Sequence, residues 1–250
     1  MRRIERAPLP VRAQKYLDDR QTRANADWAA GTLDIESRWS DARKTKTIGG
    51  AGNSVLSTLQ QMSGPRHRCM YCLDSDGSDI EHFRPKAQYP QHAFCWPNLL
   101  LCCTPCGRFK LDKFPLVDHV PLLIDPTQDD PWQHLDFDPE TGNLTARYEP
   151  DRNDYSAKGV KTVEVLQFDR RECLSRGYRR TFQRLSRIVR EALQKSSPIA
   201  TDALQQELRE ADDHGLLPWC FGRIGQTIEP FSALREHHPD AWTVCAHAVA

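Results

Sequence analysis

The sequence predicts an α+β chain: a metal-clamped core set in a mostly helical polypeptide with one small β-hairpin. Three observations predict it. Two Cys-x-x-Cys pairs, Cys69/Cys72 and Cys103/Cys106, stand 30 residues apart. Four thiols so arranged suit one tetrahedral zinc. Leu174, Tyr178, Phe182, Leu185, Val189 and Leu193 recur at three- and four-residue spacing, the period of a helix with one buried face. Finally, Leu135-Asp-Phe-Asp138 and Leu144-Thr-Ala-Arg-Tyr148 alternate apolar with polar residues around Pro139-Glu-Thr-Gly142, which is a hairpin signal.

The bulk numbers bound the rest. A chain of 250 residues holds one large domain or two small ones. Apolar content of 39% and charged content of 27% fit an ordinary globular protein. We divide it into an N-terminal helical region (1–66), a zinc-bound core (67–120) and a hairpin plus C-terminal helical region (121–250). No run of 18 apolar residues occurs, so no transmembrane helix and no membrane partner are expected. Met1-Arg-Arg-Ile-Glu-Arg6 has no apolar stretch after its arginines, so no secretory signal is expected. Nine cysteines, four of them in close pairs, fit metal ligation in a reducing, cytoplasmic setting better than disulfides.

The net charge is zero, which excludes a whole-molecule polyanion magnet. The distribution is uneven. Residues 158–195 carry eleven Lys/Arg and four acids, whereas residues 201–240 carry three Arg and eight acids. Such a strip permits nucleic-acid contact on one face. Two solvated helix faces are the blander reading.

Taken in order, residues 1–10 contain Pro8 and Pro10 and read as extended. Residues 11–30 are helix-compatible, with Tyr16, Leu17 and Trp28 as core candidates. A second short helix over 32–44 would use Leu33, Ile35 and Trp39. Gly49-Gly50-Ala51-Gly52-Asn53 is a break; no GKS or GKT follows, so it is not a phosphate loop. Residues 54–62 read as a helix with Val55, Leu56 and Leu59 on one side. Pro97 suits a first helical turn, and a helix from about Pro97 to Leu111 would place Cys103 and Cys106 on one face. Residues 121–126 read as a short apolar strand. Asp169 would cap a long helix reaching Lys195, with arginines 176, 179, 180, 184, 187 and 190 on its remaining faces. Ser197-Pro198 would open another helix holding Leu204 and Leu208, stopped by Gly215.

The chemistry concentrates between the cysteine pairs. Cys69, Cys72, Cys103 and Cys106 would close the zinc coordination sphere, making that metal structural. Glu81-His82 supplies a carboxylate for a hydrated divalent cation and an imidazole to take a proton from water. The bland alternative is a surface pair. Arg84 and Lys86 beside it suit phosphate oxygens. Asn98 would cap the helix after Pro97 or brace the loop carrying His82. Lys110 would approach the phosphate. Cys95, Cys173, Cys220 and Cys245 read as buried apolar thiols.

Cys69-Met-Tyr-Cys72, Ile80-Glu-His-Phe-Arg-Pro-Lys86, Trp96-Pro-Asn-Leu99, Cys103-Thr-Pro-Cys106, Lys110 and Phe114-Pro115 together resemble the HNH endonuclease family. The resemblance is nearest to the HNH subunits of Septu-type antiphage systems and of some retron systems. It extends more weakly through Leu123-Ile-Asp-Pro126, the hairpin and Thr162–Phe168, and not over the last fifty residues. It implies a zinc-stabilised ββα-metal, treble-clef-like core. It also implies cleavage of nucleic-acid phosphodiesters, with His82 activating water, Glu81 holding a catalytic Mg²⁺ or Mn²⁺, Asn98 setting the His82 loop, and Arg84, Lys86 and Lys110 neutralising the backbone. DNA is the first expected target and RNA the second. The implied partner is an ABC- or SMC-like ATPase, or a retron reverse transcriptase complex.

One position departs from that pattern. Where the family has Asn or His after the last zinc cysteine, as a ligand of the catalytic metal, this chain has Gly107. A mid-helix glycine also costs roughly 1 kcal/mol against alanine. Three outcomes follow: the metal rests on Glu81, substrate phosphate and water; Asp112 substitutes; or cleavage is weakened and a zinc-stabilised nucleic-acid- or partner-binding module remains.

Overall fold

The structure is a computed structural model and describes residues 1–195 and 198–247. It is mostly helical, with four two-stranded antiparallel sheets among the described residues. The chain forms two compact units, Arg3–Asp129, and Met1–Arg2 with Asp130–Ala250. The first therefore contains both the N-terminal helices and the cysteine-bracketed segment.

In that first unit, helix α1 (Val11–Ala29) buries Ala13, Leu17 and Ala24. This stripe runs out before Trp28, which is 49% exposed rather than in the core. Helix α2 (Ile35–Arg43) starts where the Asp34 carboxylate accepts from the Ser37 N–H, and it buries Trp39; Leu33 and Ile35 are only half-buried. After the short α3 (Lys46–Gly49), α4 (Val55–Met62) opens on a reciprocal Ser54/Ser57 capping box, which satisfies free N–H groups of its first turn.

Strand β1 (Asp79–His82) pairs antiparallel with β2 (Leu99–Cys102), so that Glu81 lies opposite Leu100 and His82 opposite Leu99. Helix α5 (Thr104–Lys110) follows directly. The continuous helix expected from Pro97 to Leu111 therefore does not form. Trp96–Asn98 makes one 3₁₀ turn, Leu99–Cys102 is a strand buried along its whole length, and helix begins only at Thr104. A buried apolar run of four has no periodicity to separate strand from helix. Pairing with β1 decides it.

A two-residue ribbon, β3 (Leu116–Val117) with β4 (Val120–Pro121), ends this part of the chain. The strand expected over 121–126 is limited to that edge; Leu123, Ile124 and Asp125 are buried in irregular backbone. Asp125 holds its own turn by accepting from the Thr127 N–H and hydroxyl.

In the second unit the expected hairpin is present as β5 (Leu135–Phe137) with β6 (Leu144–Ala146). Asp138 accepts from the N–H groups of Glu140 and Thr141, and Gly142 has φ +82°. A Cβ on Gly142 would lie 2.0 Å from the Ser175 carbonyl oxygen, so no other residue fits. A smaller ribbon joins β7 (Tyr148–Glu149) to β8 (Asp154–Tyr155). Helix α6 (Ala157–Leu166) is capped by Ser156.

The long helix α7 (Glu172–Gln194) buries Leu174, Tyr178, Phe182, Leu185 and Val189 as its spacing predicts. Leu193 is half-buried. Its N-cap is Arg171 rather than Asp169. Ser197 lies outside the described residues; the helix expected after it, α8 (Thr201–Ala211), buries Leu204 and Leu208 and ends before Gly215. Helices α9 (Leu217–Gly222), α10 (Phe231–His237) and α11 (Pro239–His247) complete the unit. Phe137 packs against Tyr178 and Phe182 with tilted rings, and edge-on against Trp219, at its centre.

Candidate metal centre and its flanking site

The two cysteine pairs meet at one end of the β1/β2 ribbon, where the first residue of β1, Asp79, pairs with the last of β2, Cys102. Residues 69–75 form a tight turn in which the Leu73 N–H donates to the Cys69 carbonyl and the Cys69 N–H to the Ser75 carbonyl. Leu73 takes a left-handed φ of 54° to close it. Cys103 is the N-cap of α5 and Cys106 lies in its first turns, after Pro105. All four sulfurs are buried and lie within 4.8 Å of one another. Cys72 and Cys103 are 3.7 Å apart, about the S–S separation that Zn–S bonds of ~2.3 Å impose in a tetrahedron. Burial pushes the Cys69 thiol well up, whereas hydrogen bonds from Cys103 and the other thiols hold Cys72 well down. Four buried thiols at this spacing can hold a divalent ion that displaces their protons. The cluster can hold a metal ion such as zinc with no coordination position to spare. Cys220 and Cys245 are buried as expected, Cys95 is half-buried, and Cys173 is exposed.

Consecutive strand residues point to opposite faces, and Glu81 and His82 accordingly have different neighbours. Glu81 meets α5. Lys110 Nζ donates to Glu81 Oε1 at 2.9 Å and to the His82 carbonyl at 2.7 Å. Lys110 is 0% exposed. The expectation that Lys110 approaches a phosphate is thus corrected: its charge is buried against the carboxylate and the β1 backbone. Burial raises the Glu81 carboxyl above its ordinary value, and the charge of Lys110 opposes that rise.

The second carboxylate oxygen, Oε2, faces Gly107. A Cβ built there would stand 3.5 Å from Oε2 and 3.9 Å from Cys102 Sγ, with no backbone obstruction. Gly107 therefore occupies the place from which a side chain would join Glu81 on a shared ion. Asp112 lies exposed beyond the end of α5. Among the described residues, the four cysteines are the only group of three or more ligating side chains. A divalent cation at Glu81 would rest on one protein carboxylate, with water and phosphate filling its other positions; Mg²⁺ tolerates such a site.

His82 meets the other side. Its Nε2 lies 2.9 Å from the Ala93 carbonyl. A carbonyl only accepts, so Nε2 carries the hydrogen and Nδ1 keeps its lone pair. Burial lowers its pKa to about 3, so the ring is neutral at physiological pH. Trp39 of α2 stands edge-on to it, with centroids 4.4 Å apart.

Asn98 does not cap a helix. Its Oδ1 accepts from the Arg84 N–H at 2.8 Å, and its Nδ2 donates to the carbonyls of Arg84 (3.1 Å) and His92 (2.9 Å). It closes the long loop between β1 and β2, the loop that supplies Ala93 to His82. Arg84 lies over the Tyr89 and Phe114 rings. Lys86 pairs with Glu36 of α2 at 3.1 Å.

Three contributors carried no usable signal in the sequence. Trp39 was a core candidate only. Arg6 donates to the carbonyls of Trp96, Pro97 and Leu99 and to the Thr127 hydroxyl, and so anchors the start of β2. The buried Tyr71 hydroxyl has no hydrogen-bond partner among the described residues; burial, and after it the charge of Glu81, push its pKa well above the ordinary value.

No family model matches the chain. It is similar to Septu protein PtuB of Bacillus mycoides (strain KBAB4), 31% identical over 150 residues that cover 48% of this chain and 48% of that protein. It is also similar to Septu protein PtuB of Bacillus thuringiensis, 33% identical over 110 residues covering 38% of this chain and 39% of that protein. The chain spans about half the length, or less, of these curated relatives. The similarities support a Septu-type relationship for that part of the chain.

Proposed function

We infer that this chain is a metal-dependent HNH endonuclease subunit of a Septu-type antiphage defence system. The observation that carries the reading is the state of His82. This residue stands at the end of β1, with Nε2 committed to the Ala93 carbonyl, which leaves the Nδ1 lone pair to act as a base. In this mechanism Nδ1 takes a proton from the water that attacks the phosphodiester. Asn98 fixes the loop that orients the ring, and Lys110 fixes the carboxylate of Glu81. Glu81 Oε2 is the protein ligand for Mg²⁺ or Mn²⁺. That cation, when bound, supplies positive charge beside the scissile phosphate. Arg84 and Lys86 neutralise neighbouring phosphates once Lys86 releases Glu36. DNA is the preferred substrate class, with RNA the other arm of the test.

Relatives named Septu and the sequence resemblance support an ABC- or SMC-like ATPase as the working partner; a retron reverse transcriptase complex is the second candidate. Co-expression followed by mass measurement tests this, and a monomer that ignores the ATPase removes it.

The decisive assay is cleavage of plasmid DNA and of single-stranded RNA with Mn²⁺ or Mg²⁺ added. His82→Ala is expected to lower the rate by about 10²–10⁴-fold. If His82→Ala cuts as fast as the parent, the assignment fails. Gly107 favours one second reading, a zinc-stabilised binding module without cleavage. Salt-sensitive binding with no cutting under either metal selects it.

A further inference from the structure

Helix α7 presents one face that neither the zinc centre nor the Glu81–His82 site uses. Its exposed residues from Arg176 to Arg190 are Arg176, Arg179, Arg180, Gln183, Arg187 and Arg190. No acid lies within that span. The acids at its ends, Glu172 and Glu191, pair with Arg176 and Arg187. Arg179 reaches the Glu140 carbonyl. Arg180 and Arg190 have no hydrogen bond or ion pair among the described residues. Arg176, Arg180, Gln183, Arg187 and Arg190 fall at i, i+4, i+7, i+11 and i+14, which is one line along the helix. At ~1.5 Å per residue that line is about 21 Å long.

We propose that this arginine line is a nucleic-acid backbone site, which grips consecutive phosphates of one strand independently of sequence. Three features select that occupant. Like charges three and four residues apart repel, so the helix is less stable for carrying them unless an anion screens them. Every cation in α7 is arginine rather than lysine, and the planar guanidinium engages phosphate oxygens in pairs. No apolar side chain is exposed between Arg176 and Arg190, so the line lacks the apolar core that a protein interface needs. Its length of about 21 Å equals the axial rise of about six base pairs of a duplex at ~3.4 Å each. The inference deepens the nuclease reading by naming a substrate contact, but it concerns binding alone and does not depend on cleavage.

The test is fluorescence anisotropy of the full-length chain with a labelled 30-mer, duplex and single-stranded, across a salt series with no divalent metal added. The parent is expected to bind both, with affinity falling steeply as salt rises. Arg176→Gln, Arg180→Gln, Arg187→Gln and Arg190→Gln combined should weaken binding at least tenfold. They should also reduce the log–log salt slope on duplex by about 3–4, roughly one for each phosphate that is no longer neutralised. All four changes are on the surface, and circular dichroism checks the fold. Should the quadruple variant misfold, Arg180→Gln with Arg190→Gln should still lower the slope by about 2. Replacing the four by lysine should keep the slope.

Two results overturn the proposal. One is a glutamine variant with the parent's slope. The other is a parent that ignores both oligonucleotides but binds poly-glutamate through the same arginines, which would make the line a protein-docking face. The salt series reads binding with no divalent metal and no cleavage, so a failed arginine line and a failed nuclease site give different results.

Discussion

Lys110→Met separates two roles for this lysine, a contact to nucleic acid and an internal partner of Glu81. Methionine keeps the length and apolar stem but removes the charge. The structure gives Lys110 two bonds, at 2.9 Å to Glu81 Oε1 and 2.7 Å to the His82 carbonyl. Its side chain is fully buried, and that of Glu81 is 19% exposed. Removing one member of a buried ion pair costs about 3–5 kcal/mol, because the other charge stays buried without a partner. The partial exposure of Glu81 places this case near the lower end. Urea unfolding at pH 7, followed by circular dichroism, measures it. The double variant Glu81→Met/Lys110→Met removes both charges and should recover at least about 2 kcal/mol, since an apolar pair of similar volume is often as stable as the ionic one. The salt slope of nucleic-acid binding should not change. The reasoning is refuted if Lys110→Met unfolds within about 1 kcal/mol of the parent while its nucleic-acid binding weakens. Lysine would then be acting on phosphate, as the sequence suggested.

Three further outcomes are expected. Gly107→Asn should fold normally, since its Cβ meets Glu81 Oε2 only at 3.5 Å. It should raise metal-dependent cutting by at least about tenfold, and an unchanged rate would mean that position 107 is not a ligand vacancy. For His82, the folded pKa of about 3 lies below the ordinary 6.5. The stability linked to it is therefore present above pH 6.5 and is lost as pH falls through the folded value, about 2 kcal/mol of it by pH 5. His82→Asn should lack that component of the acid slope, and identical slopes would contradict the neutral, buried ring. Lastly, zinc assay of purified protein should find one ion per chain, and Cys106→Ser should abolish it together with cooperative unfolding of residues 3–129; a metal-free parent with the same unfolding curve would remove the clamp.

The sequence was most legible where chemistry or period is local. Cysteine spacing located the metal centre, and Pro139–Gly142 between alternating segments located the β5/β6 hairpin. The three- and four-residue spacing in α7 marked its buried face from Leu174 to Val189. It was least legible where partners lie far apart along the chain. Leu99–Cys102 reads equally as helix or strand until β1 is set beside it. Lys110 looked like a surface cation because nothing local reveals that Glu81 lies 29 residues away in sequence and 2.9 Å away in space. Trp28 looked like core because an apolar residue at helical spacing does not disclose where the neighbouring layer stops. Asn98 was read two ways, as cap or brace, and only the position of the Arg84 backbone selects the brace.

The edge-on contact between Trp39 and His82 has a practical consequence for optical work. Imidazole at such range quenches indole emission, and does so more strongly when protonated. The chain has six tryptophans, and Trp39 is the one that meets His82. Subtracting the spectrum of Trp39→Phe from that of the parent isolates its emission. That difference spectrum then follows the arrival of oligonucleotide beside the imidazole in stopped flow, on unlabelled protein and without any turnover.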